Sequence, residues 1–209
     1  LKYIAALGKP VIYATGMCTM EEVKESVNVM LAEGNSQIVI LHAITAYPTH
    51  REDVNLRAMQ TLKGAFPQLA VGYSDHTMGP TACICAAAMG AQMLEKHFTC
   101  DKQAKGPDHM HSADPEEMRY LVDSVRAFEL MRGNGIKMPA RSEGSTRLNN
   151  RKSVVLCQDV RAGENISRDA VDIKRPGYGI QPKYLEQIIG RKAVRDLKKE
   201  DILMWEDLA

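Results

Sequence analysis

The stretch PVIYATGMCTMEEVKESVNVMLAEGNSQIVILH, Pro10 to His42, decides the fold. It opens with the apolar run PVIYATG and closes with QIVILH, and both runs are typical of buried parallel strands. Thr19 followed by Glu22 predicts a capping box, and Gly34 ends the helix that the box begins. The apolar residues of that helix share one face: Val23, Val27 and Leu31. The stretch therefore predicts a strand–helix–strand unit with parallel strands.

The same alternation continues as far as Arg132. Two further strands are expected at residues 69–74 and 91–98, with helices at 53–66 and 81–89 and a last helix that Asp114 and Pro115 begin. Four strand–helix units in a row predict an α/β fold with a parallel sheet covered by helices. A doubly wound open sheet and part of an eight-unit barrel both satisfy this pattern. Both place functional groups at the carboxyl ends of the strands.

The pattern breaks after Arg132. The segment GNGIKMPARSEGSTRLNN is rich in Gly, Pro and Ser and has no periodicity, which is typical of a linker. From residue 151 the sequence consists of short β runs and turns, such as SVVLCQDV and VDIKRPGYGIQP. We predict an α/β domain at 1–135, a linker at 136–150 and a small β-rich domain at 151–209. A core of about 60 residues is marginal alone, so we expect this domain to lean on a partner surface.

Composition and charge narrow the class of partners. Lys and Arg total 27 against 26 Asp and Glu, a net charge of +1, which does not favour nucleic acid as a partner. No apolar run approaches the roughly 20 residues of a membrane span. We also expect no signal peptide. The five cysteines are odd in number and lack zinc-type spacing. We expect reduced thiols and a cytoplasmic protein.

The chain begins LKYIAALGKP, without Met and in the apparent middle of a helix. We therefore expect it to be the C-terminal part of a longer polypeptide.

Two histidines stand where predicted strands end. His76 follows LAVGYS, and His97 lies near the end of AQMLEKHF. Neutral imidazole is a good ligand for a borderline divalent metal, and neighbouring parallel strands lie about 4.8 Å apart, so the two rings can meet at one ion. A loop histidine and a buried, hydrogen-bonded histidine explain the same residues without any ligand. Asp75 and Glu95 are either partners that orient the imidazoles or structural charges.

The loop KGPDHMHS follows the fourth strand. Asp108 can reach the same point as a partner of a metal, a water or a substrate, although a Pro-Asp turn explains it equally. His109 and His111 are interpreted as ordinary loop residues. Two histidines are too few for structural zinc and suit an octahedral ion that keeps waters. Thr15, in the TGM turn before a capped helix, offers a hydroxyl to a phosphate, although a helix start needs no ligand.

The ordered motifs resemble one known family. ATGM, YPT, DVNLRAM, VGYSDHTMG, GAQMLEKHFT and GPDHMHS, followed by RKSVV and IKRPGYGI, are similar in order and spacing to the sialic acid synthases. This family comprises N-acetylneuraminate synthases and their legionaminic and pseudaminic acid relatives. The resemblance implies a TIM barrel, here from its fifth strand onward, followed by a small antifreeze-like SAF domain.

The resemblance also implies an activity. Family members condense phosphoenolpyruvate with an N-acylated aminosugar to give a nonulosonic acid and phosphate. A divalent metal, usually Mn²⁺ and with Mg²⁺ as the alternative, would bind the histidines that match His76 and His97 and activate the sugar aldehyde. Asp108 matches a carboxylate near a metal-bound water. These three residues are the catalytic candidates.

The resemblance assigns the substrates as well. Thr15 and Ser74 match positions that bind phosphoenolpyruvate, and Thr45 and Tyr47 match the sugar-binding segment. Arg175 matches an arginine that reaches the active site of the other subunit, which implies a domain-swapped homodimer. The family pattern HCTSxYP reads HAITAYP here, so the sugar pocket is expected to differ. If this chain were the whole protein, the first four strand–helix units of the family barrel would be absent, and we would expect no turnover without a complementing half.

Two other functions fit the sequence. A metal-dependent aldolase-like barrel enzyme would use the same two histidines but release no phosphate. A non-catalytic carbohydrate-binding module would be indifferent to metal chelation.

Overall fold

The chain, in a computed structural model that describes residues 1–209, divides into two compact units. The N-terminal unit covers residues 1–135 and the C-terminal unit covers residues 136–209. None of the helices has the length and apolar character that a membrane crossing requires.

The N-terminal unit alternates parallel strands with helices. Its strands are β1 (Val11–Ala14), β2 (Ile38–Ala43), β3 (Ala70–Asp75) and β4 (Leu94–Lys96). Its helices are α1 (Lys2–Ala6), α2 (Met20–Ala32), α3 (Ala58–Ala65), α4 (Thr81–Ala88) and α5 (Pro115–Met131). The strands lie in the order β1-β2-β3-β4, and each neighbouring pair is parallel. This unbroken order is that of half a (β/α)₈ barrel, because a doubly wound sheet reverses its strand order at a switch point.

The core of this unit lies between the sheet and the helices. Val27 and Met30 of α2 are fully buried, as are Ile40 of β2 and Ala86 of α4. The predicted capping box at Thr19 and the predicted helix start at Asp114 are confirmed: both side chains accept a hydrogen bond from the main-chain N–H three residues later. The caps fix the helix starts that follow the carboxyl ends of β1 and β4.

Helix α3 is shorter than the sequence pattern predicts. The expected helix began at Asp53, but the structure has a 3₁₀ turn at Arg51–Asp53 and an α-helix only from Ala58. Asn55 adopts φ of 46°, in the left-handed region, and a single such residue interrupts a right-handed helix. Periodicity alone could not show this break, because Leu56, Met59 and Leu62 keep their apolar spacing across it.

Strand β4 is also shorter than predicted. The expected strand ran from Ala91 to Phe98, but the ladder covers only Leu94–Lys96. The side-chain oxygen of Gln92 accepts the hydrogen bond of the Val71 N–H, so a side chain replaces the main chain at this rung. The close approach of β4 depends on Gly72, where a Cβ would overlap the Met93 carbonyl.

The C-terminal unit has a small antiparallel sheet of β5 (Ser153–Leu156) and β6 (Val171–Lys174). It also contains two short helices, α6 (Gly144–Asn150) and α7 (Leu185–Ile188). Its own core is fully buried: Val154, Leu156, Ile166, Ile188 and Leu203. The predicted β-rich fold is confirmed.

Helix α6 falls within the segment expected to be a linker. The Leu148 carbonyl accepts a 2.8 Å hydrogen bond from the Gly177 N–H, and the Asn149 side chain accepts one from the Tyr178 hydroxyl. The end of this segment is therefore attached to the C-terminal unit.

Candidate active site

His76 and His97 occupy equivalent places at the carboxyl ends of neighbouring strands. The register of β3 and β4 pairs Asp75 with Lys96, so each histidine follows directly after a paired residue. The two ring centroids are 5.4 Å apart with an interplanar angle of 82°. The structure therefore brings these imidazoles together.

Strand alternation decides which side the histidines face. Ser74 and Glu95 are register partners, and the Ser74 hydroxyl donates a 2.7 Å hydrogen bond to the Glu95 carboxylate. Asp75 points the other way, toward α4, where it contacts Cys83. Because successive side chains alternate, His76 shares the side of Ser74.

A main-chain carbonyl fixes the tautomer of His76. Its Nδ1 lies 2.7 Å from the carbonyl oxygen of Ile44, which can only accept a hydrogen bond, so Nδ1 carries the proton. The Thr49 N–H returns a 2.9 Å hydrogen bond to the His76 carbonyl. The lone pair of Nε2 is consequently left free, and this is the arrangement that a metal-binding histidine needs.

His97 and Asp108 lie close together without a direct hydrogen bond. Nδ1 of His97 and Oδ2 of Asp108 are 3.9 Å apart, which is longer than a hydrogen bond. The Asp108 side chain is 54% exposed and that of His97 is 31% exposed. Both groups are therefore accessible to an ion, a water or a substrate.

His111 is the residue that the sequence analysis missed. It was interpreted as a loop residue, yet it is 2% exposed and its ring centroid is 5.2 Å from that of His97. Neither of its ring nitrogens has a hydrogen-bond partner. Burial lowers the pKa of His111, and the neighbouring His97 acts in the same direction, so the neutral ring is favoured. The only sequence signal was the alternation His109-Met110-His111, and it does not reveal burial.

Three side chains offer ligand atoms to one point. One atom each from His97, Asp108 and His111 lie within 4.8 Å of one another. Two neutral imidazoles and a carboxylate are a donor set for a borderline divalent ion, and the unpartnered nitrogens of His111 fit such a ligand. His76 is not in this set of atoms, although its ring adjoins that of His97.

Tyr47 covers the histidine cluster. Its ring centroid lies 4.3 Å from that of His76, 5.7 Å from that of His97 and 5.8 Å from that of His111. The ring is half exposed and precedes a cis peptide bond to Pro48. Tyr47 thus forms a wall between the three imidazoles and solvent.

The remaining predicted residues surround other strand ends. Thr15, at the end of β1, is buried and its hydroxyl donates a 2.9 Å hydrogen bond to the Leu41 carbonyl. Thr45 is exposed and lies so close to Gly16 that a Cβ there would overlap its side chain. Arg175 belongs to the C-terminal unit, where it follows β6 and precedes the cis bond to Pro176.

The two acidic neighbours of the histidines have structural partners. Asp75 accepts a 2.8 Å hydrogen bond from the ammonium of Lys96 and others from the Tyr73 hydroxyl and the Thr77 N–H. Glu95 accepts from the Ser74 hydroxyl. Of the two interpretations left open, Asp75 is a structural charge, because the Ile44 carbonyl and not Asp75 orients His76.

Fold and site together define a barrel-type protein with a candidate divalent-metal centre at the carboxyl ends of its strands. Residues 1–137 match the NeuB family, and residues 151–209 match the SAF domain. The chain therefore belongs to the NeuB family, and the resemblance drawn from its motifs is confirmed.

Curated relatives align along the whole chain. It is 46% identical over 208 residues to the uncharacterized protein MJ1065 of Methanocaldococcus jannaschii, covering 100% of the chain and 61% of that protein. It is 42% identical over 212 residues to the N,N'-diacetyllegionaminic acid synthase of Legionella pneumophila, covering 100% of the chain and 59% of that protein. The chain thus spans 59–61% of the length of these two relatives.

Solved structures agree with the fold. The spore coat polysaccharide biosynthesis protein SpsE of Bacillus subtilis superposes with a TM-score of 0.61 at 33% identity, covering 100% of this chain and 63% of that one. The N-acetylneuraminic acid synthetase of Leptospira borgpetersenii, in complex with citrate, gives 0.64 at 32% identity over 69% of this chain and 50% of that one.

Proposed function

We propose that the protein carrying this chain condenses phosphoenolpyruvate with an N-acylated aminosugar to give a nonulosonic acid and phosphate. Relatives named as synthases of N,N'-diacetyllegionaminic acid, pseudaminic acid and N-acetylneuraminate 9-phosphate support this reaction class. The observation that carries the proposal is the pair His76 and His97 at the carboxyl ends of neighbouring strands, where barrel enzymes hold their active sites.

The proposed reaction joins two carbons and breaks one carbon–oxygen bond. C3 of phosphoenolpyruvate bonds to the aldehyde carbon of the sugar, whose oxygen becomes a hydroxyl after taking a proton. Water adds to C2, and the bond between C2 and the bridging oxygen breaks, releasing phosphate. The keto acid then forms at C2.

His76 and His97 are the proposed ligands of a divalent ion, Mn²⁺ or alternatively Mg²⁺. When bound, such an ion would supply Lewis-acid polarisation of the aldehyde oxygen. The hydrogen bond from Nδ1 of His76 to Ile44 keeps Nε2 available for this role. Asp108, 3.9 Å from His97, would orient a water molecule.

Four residues are proposed to bind the substrates. The hydroxyls of Thr15 and Ser74 would donate to phosphoenolpyruvate, which requires each to turn from its present acceptor, the Leu41 carbonyl or the Glu95 carboxylate. Thr45 and the half-exposed Tyr47 would contact the aminosugar. Ala43 and Ile44 lie in the same segment, so its departure from the family pattern bears on the N-acyl group that is accepted.

A partner subunit completes the proposal. Arg175 would reach the active site of the other protomer in a domain-swapped homodimer, and a cytoplasmic enzyme would have ready access to phosphoenolpyruvate. Sedimentation of the intact polypeptide tests the dimer. Mixing Arg175→Ala protein with His97→Ala protein tests the exchange, because heterodimers would regain one intact site.

Phosphate release in ¹⁸O-labelled water tests the reaction. The intact natural polypeptide, Mn²⁺ and phosphoenolpyruvate are combined in turn with N-acetylmannosamine, its 6-phosphate and a diacetamido sugar. We expect phosphate only with a matching sugar, and we expect ¹⁸O in the keto acid and none in the phosphate, because water adds to C2. Label in the phosphate, or no phosphate with any sugar, would contradict the proposal.

The two alternatives give different results in the same assay. An aldolase-like enzyme would form product without phosphoenolpyruvate and release no phosphate. A carbohydrate-binding module would retain sugar binding after metal chelation and in the His76→Ala variant.

A further inference from the structure

We propose that His111 is a third imidazole ligand, so that the centre in this chain holds its divalent ion with His76, His97 and His111. The inference rests on the proposed function only for the presence of a metal at this site. It adds a residue from the loop after β4 to the two histidines at the strand ends.

The burial of His111 is the first argument. The side chain is 1% exposed, and neither ring nitrogen has a hydrogen-bond partner. An unpaired buried polar group is destabilising, and native structures contain few of them. A bound cation would lower this cost, because one of the two free nitrogens would become its ligand.

A comparison with His42 strengthens this argument. His42 is also buried, but its Nε2 lies 2.8 Å from the Val54 carbonyl, so it is a satisfied core histidine. His76 has the Ile44 carbonyl. His111 alone among these buried histidines has two free nitrogens, and a purely structural role does not account for them.

Main-chain hydrogen bonds hold the loop after β4 so that His111 lies beside the end of that strand. At its base, the Ala113 N–H donates a 2.8 Å hydrogen bond to the His97 carbonyl, and the Thr99 N–H donates a 2.9 Å hydrogen bond to the Ala113 carbonyl. A second turn ties Ser112 to the Asp108 carbonyl through both its N–H and its hydroxyl. The position of His111 is therefore set by main-chain bonds on both sides.

The distances suit a shared ion. The rings of His97 and His111 have centroids 5.2 Å apart, and Nε2 of His111 is 3.9 Å from Oδ1 of Asp108. Ligand atoms bonded to one ion at about 2.1 Å lie roughly 3 to 4 Å apart. One ligand atom each from His97, His111 and Asp108 lie within 4.8 Å of one another, and the ring centroid of His76 is 5.4 Å from that of His97. Small side-chain rotations would bring the three imidazoles to one ion.

A third imidazole has a chemical consequence. Imidazole favours later transition metals, so the affinity of the site should rise from Mn²⁺ through Co²⁺ to Ni²⁺. Replacing His111 should reduce the differences in affinity among these ions, as expected for a site with more oxygen ligands.

The experiment counts imidazoles on Mn²⁺ in the intact protein. Pulsed electron paramagnetic resonance detects nitrogen coupled to bound Mn²⁺, and ¹⁵N-labelled histidine identifies it as imidazole. We expect three coupled imidazoles in the wild type and two in His111→Phe, which keeps a ring of similar size. A wild-type count of two overturns the proposal without recourse to any variant.

Affinity provides the second readout. Losing a direct ligand should weaken Mn²⁺ binding by more than the roughly 10- to 100-fold typical of an outer partner. His109→Phe is the matched control: it alters the same loop, but His109 contacts the Thr99 hydroxyl at 2.7 Å and lies outside the donor set. Unchanged affinity in His111→Phe, or equal losses in both variants, would contradict the proposal.

Stability in chelator separates a ligand from a packing residue. Without metal, His111→Phe should be at least as stable as the wild type, because the unpaired nitrogens are gone. A structural role predicts the reverse, a less stable apo form with normal metal binding.

The outcomes also distinguish the two proposals. Three imidazoles on Mn²⁺ without phosphate release would support this inference and contradict the proposed function. Phosphate release with a two-imidazole centre would do the opposite.

Discussion

Two clusters of polar side chains lie one residue apart at the carboxyl ends of β3 and β4, and they differ in how their hydrogen-bonding groups are satisfied. Below the rim, Asp75 and Lys96 form an ion pair with side chains at most 2% exposed, and both have further partners. Above it, His76, His97 and His111 face one another, and His111 has no hydrogen-bond partner at all. The ion pair of Asp75 and Lys96 has hydrogen-bond partners within the protein, whereas His111 in the histidine cluster has none.

This difference distinguishes a structural network, that of Asp75 and Lys96, from a candidate binding site, the histidine cluster. A buried charge is tolerated only when it is paired and hydrogen-bonded, and the Asp75 network satisfies this condition. A buried neutral imidazole without a partner is costly unless a ligand binds it. The network beside β3 and β4 therefore stabilises the fold, and the cluster above it is available for binding.

Thiol reactivity gives the largest expected contrast. Burial, with the negative charge of Asp75 next, raises the pKa of the Cys83 thiol well above its usual range, so it stays protonated at pH 8. Exposed Cys85, two residues away, should react with iodoacetamide about a thousand-fold faster or more, because Cys83 reacts only when the fold opens. Mass spectrometry of timed labelling checks this. Similar rates would show that the network is not closed.

Removing the ammonium of the ion pair should destabilise the fold strongly. Lys96→Met leaves Asp75 buried and unpaired, and such a loss costs about 3–5 kcal/mol. Urea denaturation measures it. Lys102→Met is the matched control, since its partner Glu117 is 30% exposed and such a pair contributes at most about 1 kcal/mol. Equal losses in the two variants would remove the distinction between the sites.

Metal removal should affect stability only through the histidine cluster of His76, His97 and His111. At a Mn²⁺ concentration of about 100 times its dissociation constant, the wild type should gain about 2.7 kcal/mol of stability that chelation abolishes. His97→Ala should show no such gain, because the shared ligand is lost, while exposed His50→Ala should keep it. Thermal denaturation with and without chelator is the measurement. A full gain in His97→Ala would place the metal elsewhere.

The smallest effect concerns the helix that follows the His111 loop. Asp114 caps α5 by accepting a 2.8 Å hydrogen bond from the Glu117 N–H, so Asp114→Ala should cost about 1 kcal/mol. Asp123→Ala, on an exposed part of the same helix, should change stability little. If the cap anchors the loop, Mn²⁺ affinity should also fall slightly in Asp114→Ala and not in the control.

The sequence predicted the sheet and its helices well because local signals agreed. The helix starts at Thr19 and Asp114, apolar runs and helical stripes all indicated the same four units, and the structure has them in that order. The break at Asn55 escaped prediction because a single left-handed residue leaves the apolar spacing intact. The late start of β4 escaped because the side chain of Gln92 replaces a main-chain partner just before Leu94.

The candidate site was predictable only where strands position it. His76 and His97 follow from the rule that parallel strands bring their carboxyl ends to one edge, and the register places them side by side. The burial of His111 depends on hydrogen bonds between Ala113, His97 and Thr99, which no local pattern encodes. The role of Asp75 was equally hidden, because its partner Lys96 lies 21 residues away.

The pairing of Asp75 with Lys96 has a consequence for how this centre can change over evolutionary time. Sliding β4 by one residue would turn the His97 ring to the helix side and put Glu95 or His97 opposite Asp75. A change that shifts this register would therefore separate the two histidines as well as the ion pair. The loop after Phe98 is held at its base by hydrogen bonds with Ala113 but has no strand register along its length, so variation in metal preference can arise within it while the strands stay unaltered.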